Sequence, residues 1–243
     1  MTDLHCHILP GLDDGADSFE ESLAMAAMAA HQGIHHIVAT PHCLTGGARQ
    51  TREHVQLLQE LLQEEQIPVR LYAGMEIFGT HDTARLLREG RLLTLNDSRY
   101  PLIEFDFYTD GEEETQILHA VLEAGYTPLV AHPERYSCIC QEPELADLWR
   151  KMGCLFQINR GSLLGRYGHN AQQMATSLVR RGFATVVSTD AHSPIVRTPR
   201  ISDVRQWLTE NISPAAAQAL LQDNPRRILQ NKSPLPAQPA WFA

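Results

Sequence analysis

Seven short apolar runs, each followed by sequence with helical spacing, limit what this chain can fold into. The first run leads into Asp3-Leu4-His5-Cys6-His7. A helix to about Gln32 comes next, opened by the capping box Ser18-Phe19-Glu20-Glu21 and ended by Gly33, and Ile34 to Thr40 is the second strand. Leu57, Leu58, Leu61 and Leu62 mark a helix over about 50–66, ahead of a strand from Val69 to Ala73. The period then repeats with helices over 82–88, 112–124, 143–152 and 170–181, and strands over 101–103, 128–131, 154–158 and 184–188. Strands alternating with helices of this length imply parallel βαβ units. With no hairpin signal between them, the expectation is an α/β chain closed into a distorted seven-stranded (β/α)7 TIM-like barrel, the alternative being an open doubly wound sheet.

Each run ends on its carboxyl side in a polar or metal-capable residue: His5 and His7, His42, Glu76, Glu104, His132, Asn159, then Asp190 and His192. In a barrel these ends share the mouth where βα loops build active sites, which puts a metal site at the C-terminal end of the strands. Residues two apart on a strand point the same way, so His5 and His7 form a chelating pair. The candidate ligands are His5, His7, Asp14, His42, Glu76, Glu104, His132, Asp190 and His192. A single catalytic zinc uses about three protein ligands, so this set implies two or three divalent ions. Mixed imidazole and carboxylate donors suit manganese, iron or zinc, with cobalt and magnesium as further options, rather than calcium or a thiolate site. Clustered ions serve in-line attack at phosphorus, one generating hydroxide at neutral pH while the others clamp phosphoryl oxygens and leaving group. The remaining histidines, His31, His35, His36, His54, His81, His119 and His169, share no such pattern and read as surface or supporting residues.

At 243 residues one domain suffices, taken as 1–230, with a mobile Pro/Ala-rich tail over 231–243. The net charge of −9 argues against nucleic acid as a partner. It leaves anionic phosphate substrates open, because bound cations reverse the local sign. No run approaches the roughly 20 apolar residues of a membrane span, so no membrane insertion is expected. No secretory signal opens the chain. Five cysteines in no disulfide framework fit a reducing compartment, and the cytoplasm is the expected location.

A second chemistry is spelled by His42-Cys43-Leu44-Thr45-Gly46-Gly47-Ala48-Arg49, the His-Cys-x5-Arg pattern of cysteine-based tyrosine phosphatases, in which backbone N–H groups cradle phosphate around a thiolate. Against it, Gln50 stands where a hydroxyl residue is usual, and eight other candidate ligands are left without a purpose. The residues by themselves reach a multinuclear metal-dependent phosphoesterase, with a metal-stabilised scaffold that catalyses nothing as the non-enzyme alternative.

The His-x-His opening, the Pro-His after the second strand, the strand-end Glu76, Glu104 and His132, and the final Asp-x-His resemble the polymerase and histidinol phosphatase (PHP) superfamily. Residues 3–15, Leu95-Asn96-Asp97-Ser98-Arg99-Tyr100, Ala131-His132-Pro133-Glu134-Arg135-Tyr136 and Asn224-Pro225 further resemble its manganese-dependent bacterial protein-tyrosine phosphatases. That resemblance implies a trinuclear site built from the nine residues, with Arg135 and Arg197 holding the substrate phosphate. It also implies a phosphotyrosine protein as substrate, the tyrosine-rich tail of a partner kinase in capsule and exopolysaccharide loci. A degenerate scaffold would have lost ligand positions, and none of the nine is lost. Arginine suits phosphate because its planar fork is bidentate and permanently charged; the alternative for Arg135 is a salt bridge to Glu134 or Glu142. Arg160 stands where relatives carry a small residue, and is expected either to add a phosphate contact or to crowd the mouth. A tyrosyl leaving group has a pKa near 10 and needs little acid help, with His42, His192 or a metal-bound water as the candidate acid. The rival within the superfamily is a phosphatase of a small molecule such as histidinol phosphate or a nucleotide phosphate.

Overall fold

The computed structural model describes residues 1–43 and 47–238, and shows strands alternating with helices. Residues 44–46, inside the His-Cys-x5-Arg stretch, and residues 239–243 of the Pro/Ala-rich terminus lie outside the described residues. The first half runs β1 (Thr2–Cys6), α1 (Phe19–His31), β2 (His36–Ala39), β3 (His42–Cys43), α2 (Ala48–Glu64), β4 (Arg70–Ala73), β5 (Glu76–Phe78) and α3 (Thr83–Arg88). The second half runs β6 (Leu102–Glu104), α4 (Glu112–Glu123), β7 (Leu129–Ala131), α5 (Ser137–Gln141), α6 (Glu144–Met152), β8 (Leu155–Asn159), α7 (Arg160–Leu163), α8 (His169–Arg180) and β9 (Ala184–Ser188). Helices α9 (Ser202–Asn211), α10 (Pro214–Gln218) and α11 (Asn224–Leu229) complete it, and no helix among the described residues is long and apolar enough to cross a membrane.

The expected count of seven strands is corrected. Among the described residues there are nine strands, and they form two parallel sheets, β1-β2-β4 and β3-β5-β6-β7-β8-β9. The extra strands arise where two expected strands break. Pro41, which has no N–H to give a ladder, lies between β2 and β3, and Gly74-Met75 lies between β4 and β5. Gly74 N–H to Ala39 O (3.0 Å) and Glu76 N–H to Pro41 O (3.1 Å) hold the breaks side by side. The upstream pieces ladder with β1 and the downstream pieces with β6. The other edges of the sheets meet through a bridge between Cys6 and Ala191, with Asp190 N–H to His5 O at 2.9 Å and His7 N–H to Ala191 O at 2.8 Å.

Strand alternation sorts the core. Leu4, Val38, Leu102, Leu129, Ala131 and Val186 form one buried cluster with Tyr100, Ile228 and Leu229. Their strand neighbours Ile37, Ile103, Val130 and Val187 join a larger cluster with Met25, Leu58, Leu118, Trp149 and Leu178 of the helices. Successive side chains face opposite ways, so each strand is apolar on both faces, as parallel strands under helices must be. Helix α11 covers the amino end, where Asn224 donates to Thr185 O in β9 at 2.9 Å. The carboxyl ends are left for polar side chains. Helix α1 has the expected cap, Glu21 N–H to Ser18 Oγ at 3.3 Å, although the Glu21 carboxylate reaches back to Asp17 N–H. Past α11 the chain is tied to the body as far as Leu235, whose N–H reaches Asn224 Oδ1 at 2.7 Å.

Candidate metal centre

The nine side chains picked out at strand ends come together at the carboxyl ends of the strands. They fall into four overlapping groups, His7-Asp14-His42-His192, His5-His7-Asp190, His5-Glu76-His132 and His42-Glu76-Glu104. Glu76 is the hub. Its Oε2 lies 3.0 Å from His5 Nε2, 3.1 Å from His7 Nε2 and 3.2 Å from His42 Nδ1, while its Oε1 lies 2.8 Å from His132 Nε2. Glu104 Oε1 stands 2.7 Å from His42 Nδ1. Asp14 is the outermost of the set, with Oδ1 3.3 Å from His192 Nε2 and 3.5 Å from His42 Nε2.

Electrostatics hold this arrangement together. Burial works against charge on His5 and His7, but Glu76 with Asp190 raises His5 to about 9, and Asp13 with Glu76 raises His7 to about 10. Burial likewise opposes the Glu76 and Asp190 carboxylates, yet the facing cations, His5 foremost, hold both well below the usual range. His192 goes the other way, lowered to about 4 by burial and by the neighbouring charges of His7 and Arg197.

The donor set fits divalent ions. Nε2 atoms of His5 and His7 converge to 3.1 Å, and Asp190 Oδ1, buried and within 3.5 Å of both rings, makes no hydrogen bond. Buried polar atoms almost always find partners. Convergent nitrogens beside an unpartnered buried oxygen are what a cation would satisfy. Metal affinity then competes with protons on these imidazoles.

Of a supporting layer, Asn159 is among the strand-end polar residues of the sequence, whereas Gln157 and the role of Asp13 are not apparent from it. His7 Nδ1 is 2.6 Å from Asp13 Oδ2, and His5 Nδ1 is 2.9 Å from Gln157 Oε1. Gln157 Nε2 donates to Asn159 Oδ1 (2.9 Å), and Asn159 Nδ2 to Asp190 Oδ2 (2.6 Å). Such partners fix ring orientation and ligand basicity. Gln157 precedes Asn159 by two residues on β8, so strand periodicity offered a signal for it. Asp13 and Asp14 are adjacent acids that spacing does not tell apart. Gly15 is needed in this turn because a Cβ there would lie 2.2 Å from His7 O.

The arginines diverge in setting. Arg135 makes no salt bridge among the described residues; its guanidinium carbon lies 4.1 Å from the Phe107 ring centroid and 4.4 Å from that of Tyr167. It lines a cavity of about 750 Å³ with Phe107, Tyr108, Tyr167 and Asn170. Arg197 Nη2 donates to Asp190 Oδ2 at 2.5 Å. Arg160 neither contacts the centre nor crowds it: the side chain is buried, with Nε donating to Asp203 Oδ1 at 2.8 Å and Nη1 to Thr198 O at 3.2 Å. The expectation for Arg160 is thereby corrected, because a buried guanidinium is committed to the carboxylate that neutralises it. Arg49 of the His-Cys-x5-Arg stretch is exposed, 3.5 Å from Glu53. The other histidines pair elsewhere, for example His36 with Tyr72 and His81 with Glu113.

Parallel strands that present a buried imidazole and carboxylate cluster at their carboxyl ends define an α/β protein with a candidate multinuclear metal centre. The chain belongs to the capsular polysaccharide synthesis family CpsB/CapC, whose profile matches residues 1–230. It is 34% identical over 237 residues to the tyrosine-protein phosphatase YwqE of Bacillus subtilis, covering 96% of this chain and 93% of that relative. It is 31% identical over 241 residues to the tyrosine-protein phosphatase CpsB of Streptococcus pneumoniae, covering 96% and 99%. A solved structure described as YwqE from Bacillus subtilis and CpsB from Streptococcus pneumoniae, unique metal-dependent tyrosine phosphatases, superposes with a TM-score of 0.90 at 32% identity, over 98% of this chain and all of that one. Histidinol phosphate phosphatase from Lactococcus lactis shares the fold alone, with a TM-score of 0.51 at 16% identity over 92% of this chain and 94% of that one.

Proposed function

We propose that the chain is a metal-dependent phosphomonoesterase acting on phosphotyrosine in a protein. The observation that carries it is the Glu76 carboxylate facing His5, His7, His42 and His132 within 3.2 Å, in a family whose named relatives are tyrosine phosphatases. His5, His7, Asp14, His42, Glu76, Glu104, His132, Asp190 and His192 would hold two or three ions, manganese being the reading we favour. When bound, such ions supply Lewis-acid polarisation and acidify water at neutral pH.

The rest of the work falls to this chain's own residues. Arg135 and Arg197 take the phosphate oxygens, and the cavity beside Arg135 receives the polypeptide. His42 and His192, both within 3.5 Å of Asp14 Oδ1 at the mouth, are the groups placed to move a proton. Little acid help is required, since a tyrosyl oxygen leaves with a pKa near 10. We take the substrate to be the tyrosine-rich tail of a kinase of capsule synthesis and the compartment to be the cytoplasm, the latter on the five free cysteines. The two sheets, joined at Cys6 and Ala191, are read as one distorted barrel around the centre.

The substrate class is tested by comparing a phosphotyrosine peptide with histidinol phosphate and a nucleoside monophosphate on manganese-loaded protein. A kcat/KM at least about tenfold higher for the peptide is expected, equivalent to 1.4 kcal/mol of transition-state discrimination. Preference for either small phosphate would refute the protein-phosphatase reading.

A further inference from the structure

The two candidate phosphate-binding arginines stand on different elements, one after β7 and one in the loop after β9, and the first rests against Tyr167. The Arg135 guanidinium carbon lies 4.4 Å from the Tyr167 ring centroid and 4.1 Å from that of Phe107. Burial raises the pKa of the Tyr167 phenol, and the charge of Arg197 works against that rise. Arg135 is therefore held by aromatic faces, without any ion pair among the described residues, and its N–H groups stay available to an anion. Arg197 keeps a buried Nε with no partner while Nη2 is occupied by Asp190.

Tyr167 has a fixed seat. It lies between α7 and α8 over Gly161, where an added Cβ would come within 2.6 Å of the Tyr167 Cε2 and 3.0 Å of its Cζ. Gly161 follows Arg160, which is anchored to Asp203 and to the carbonyl of Thr198, the residue after Arg197. The seat and the Arg197 loop are thus parts of one bonded unit.

We propose that Tyr167 is a positioning residue of the phosphate site, its ring face setting the Arg135 guanidinium. The proposal rests on the phosphatase reading above, and it adds a residue outside the metal cluster on which phosphate affinity depends. Because the guanidinium is stacked before an anion arrives, less side-chain freedom is lost on binding.

The test uses manganese-loaded full-length protein and inorganic phosphate as the probe, with Tyr167→Leu, Tyr167→Phe, Gly161→Ala and the Gly161→Ala/Tyr167→Leu double variant. Calorimetry gives the phosphate Kd, elemental analysis the ions per chain, and a phosphotyrosine peptide KM and kcat. Tyr167→Leu is expected to weaken phosphate about tenfold and raise KM by a similar factor, with bound metal unchanged. Tyr167→Phe keeps the stack and restores most of the affinity, to within about threefold of the unaltered protein. Gly161→Ala displaces the ring and matches Tyr167→Leu, and in the double variant it adds nothing further. Wild-type phosphate affinity in Tyr167→Leu, additive effects in the double variant, or loss of metal in step with phosphate would each overturn the proposal. If unaltered manganese-loaded protein bound phosphate but left the peptide intact, the phosphatase reading would fall, while the phosphate affinities would still decide the part played by Tyr167.

Discussion

Asp13 Oδ2 stands 2.6 Å from His7 Nδ1, and Asp13 is itself fixed by the N–H groups of Gly15 and His42, each at 2.9 Å. A carboxylate only accepts, so His7 donates a hydrogen bond from Nδ1–H to Asp13 and turns Nε2 to the centre. Burial raises the Asp13 carboxyl, but His7 outweighs it and holds the group down at about 2. Asp13→Ala removes no metal-facing atom, yet it is predicted to cost about 10–100-fold in metal affinity. Competitive titration against a chelating dye measures this; an affinity equal to that of the unaltered protein would contradict it.

Glu76 is predicted to matter more than any one imidazole, because its two oxygens face four of them. Glu76→Ala should retain fewer ions per chain after gel filtration than His132→Ala, read by elemental analysis. Equal or higher retention in Glu76→Ala would refute the hub assignment.

The metal-free protein should have a distinctive pH profile. His5 and His7 rise from an ordinary 6.5 to about 9 and about 10 in the folded chain. A raised pKa contributes stability that is complete below 6.5 and is lost as pH climbs through about 9–10. Glu76 and Asp190 are depressed, so their contribution is present at neutral pH and lost on acidification. Thermal unfolding with chelator should show Tm falling from pH 6.5 towards pH 10 as well as in acid. Saturating manganese should flatten the alkaline limb, since metal and protons compete for the same imidazoles. An alkaline limb indifferent to metal would count against the centre.

Arg160 should prove structural. Arg160→Met leaves Asp203 without its main partner and the Thr198 carbonyl without a donor. A loss of about 1–3 kcal/mol in denaturant unfolding is expected, with ions per chain unchanged. A stable variant with weakened phosphate binding would restore the phosphate role for this residue.

How far the sequence could be read depended on local pattern. His42, Glu76, Glu104 and His132 were legible because each closes an apolar run, and parallel βαβ units bring such ends to one side of the molecule whether or not the sheet closes. The breaks at Pro41 and Gly74-Met75 were visible as residues, but whether a strand bends or splits there depends on its neighbours in space. Asn159 stands out as a strand-end polar residue, but its bond to Asp190 and the role of Gln157 behind it emerge only when β8 is placed beside β9. Phe107 and Tyr167 were not legible at all. They lie 28 residues before and 32 after Arg135 in the chain, and only the folded loops bring both rings against its guanidinium. Arg160 misled because a large charge in place of the family's small residue beside the site reads as a contact or an obstruction, whereas its partner Asp203 lies 43 residues away.

The central claim is that the clustered imidazoles and carboxylates, and not Cys43, carry the chemistry. It is tested most directly by p-nitrophenyl phosphate hydrolysis on protein stripped with chelator and re-supplied with manganese, alongside His5→Ala and Cys43→Ser. The account predicts activity lost on stripping and restored by manganese, an inactive His5→Ala and an active Cys43→Ser. Activity that survives stripping and disappears in Cys43→Ser would contradict it.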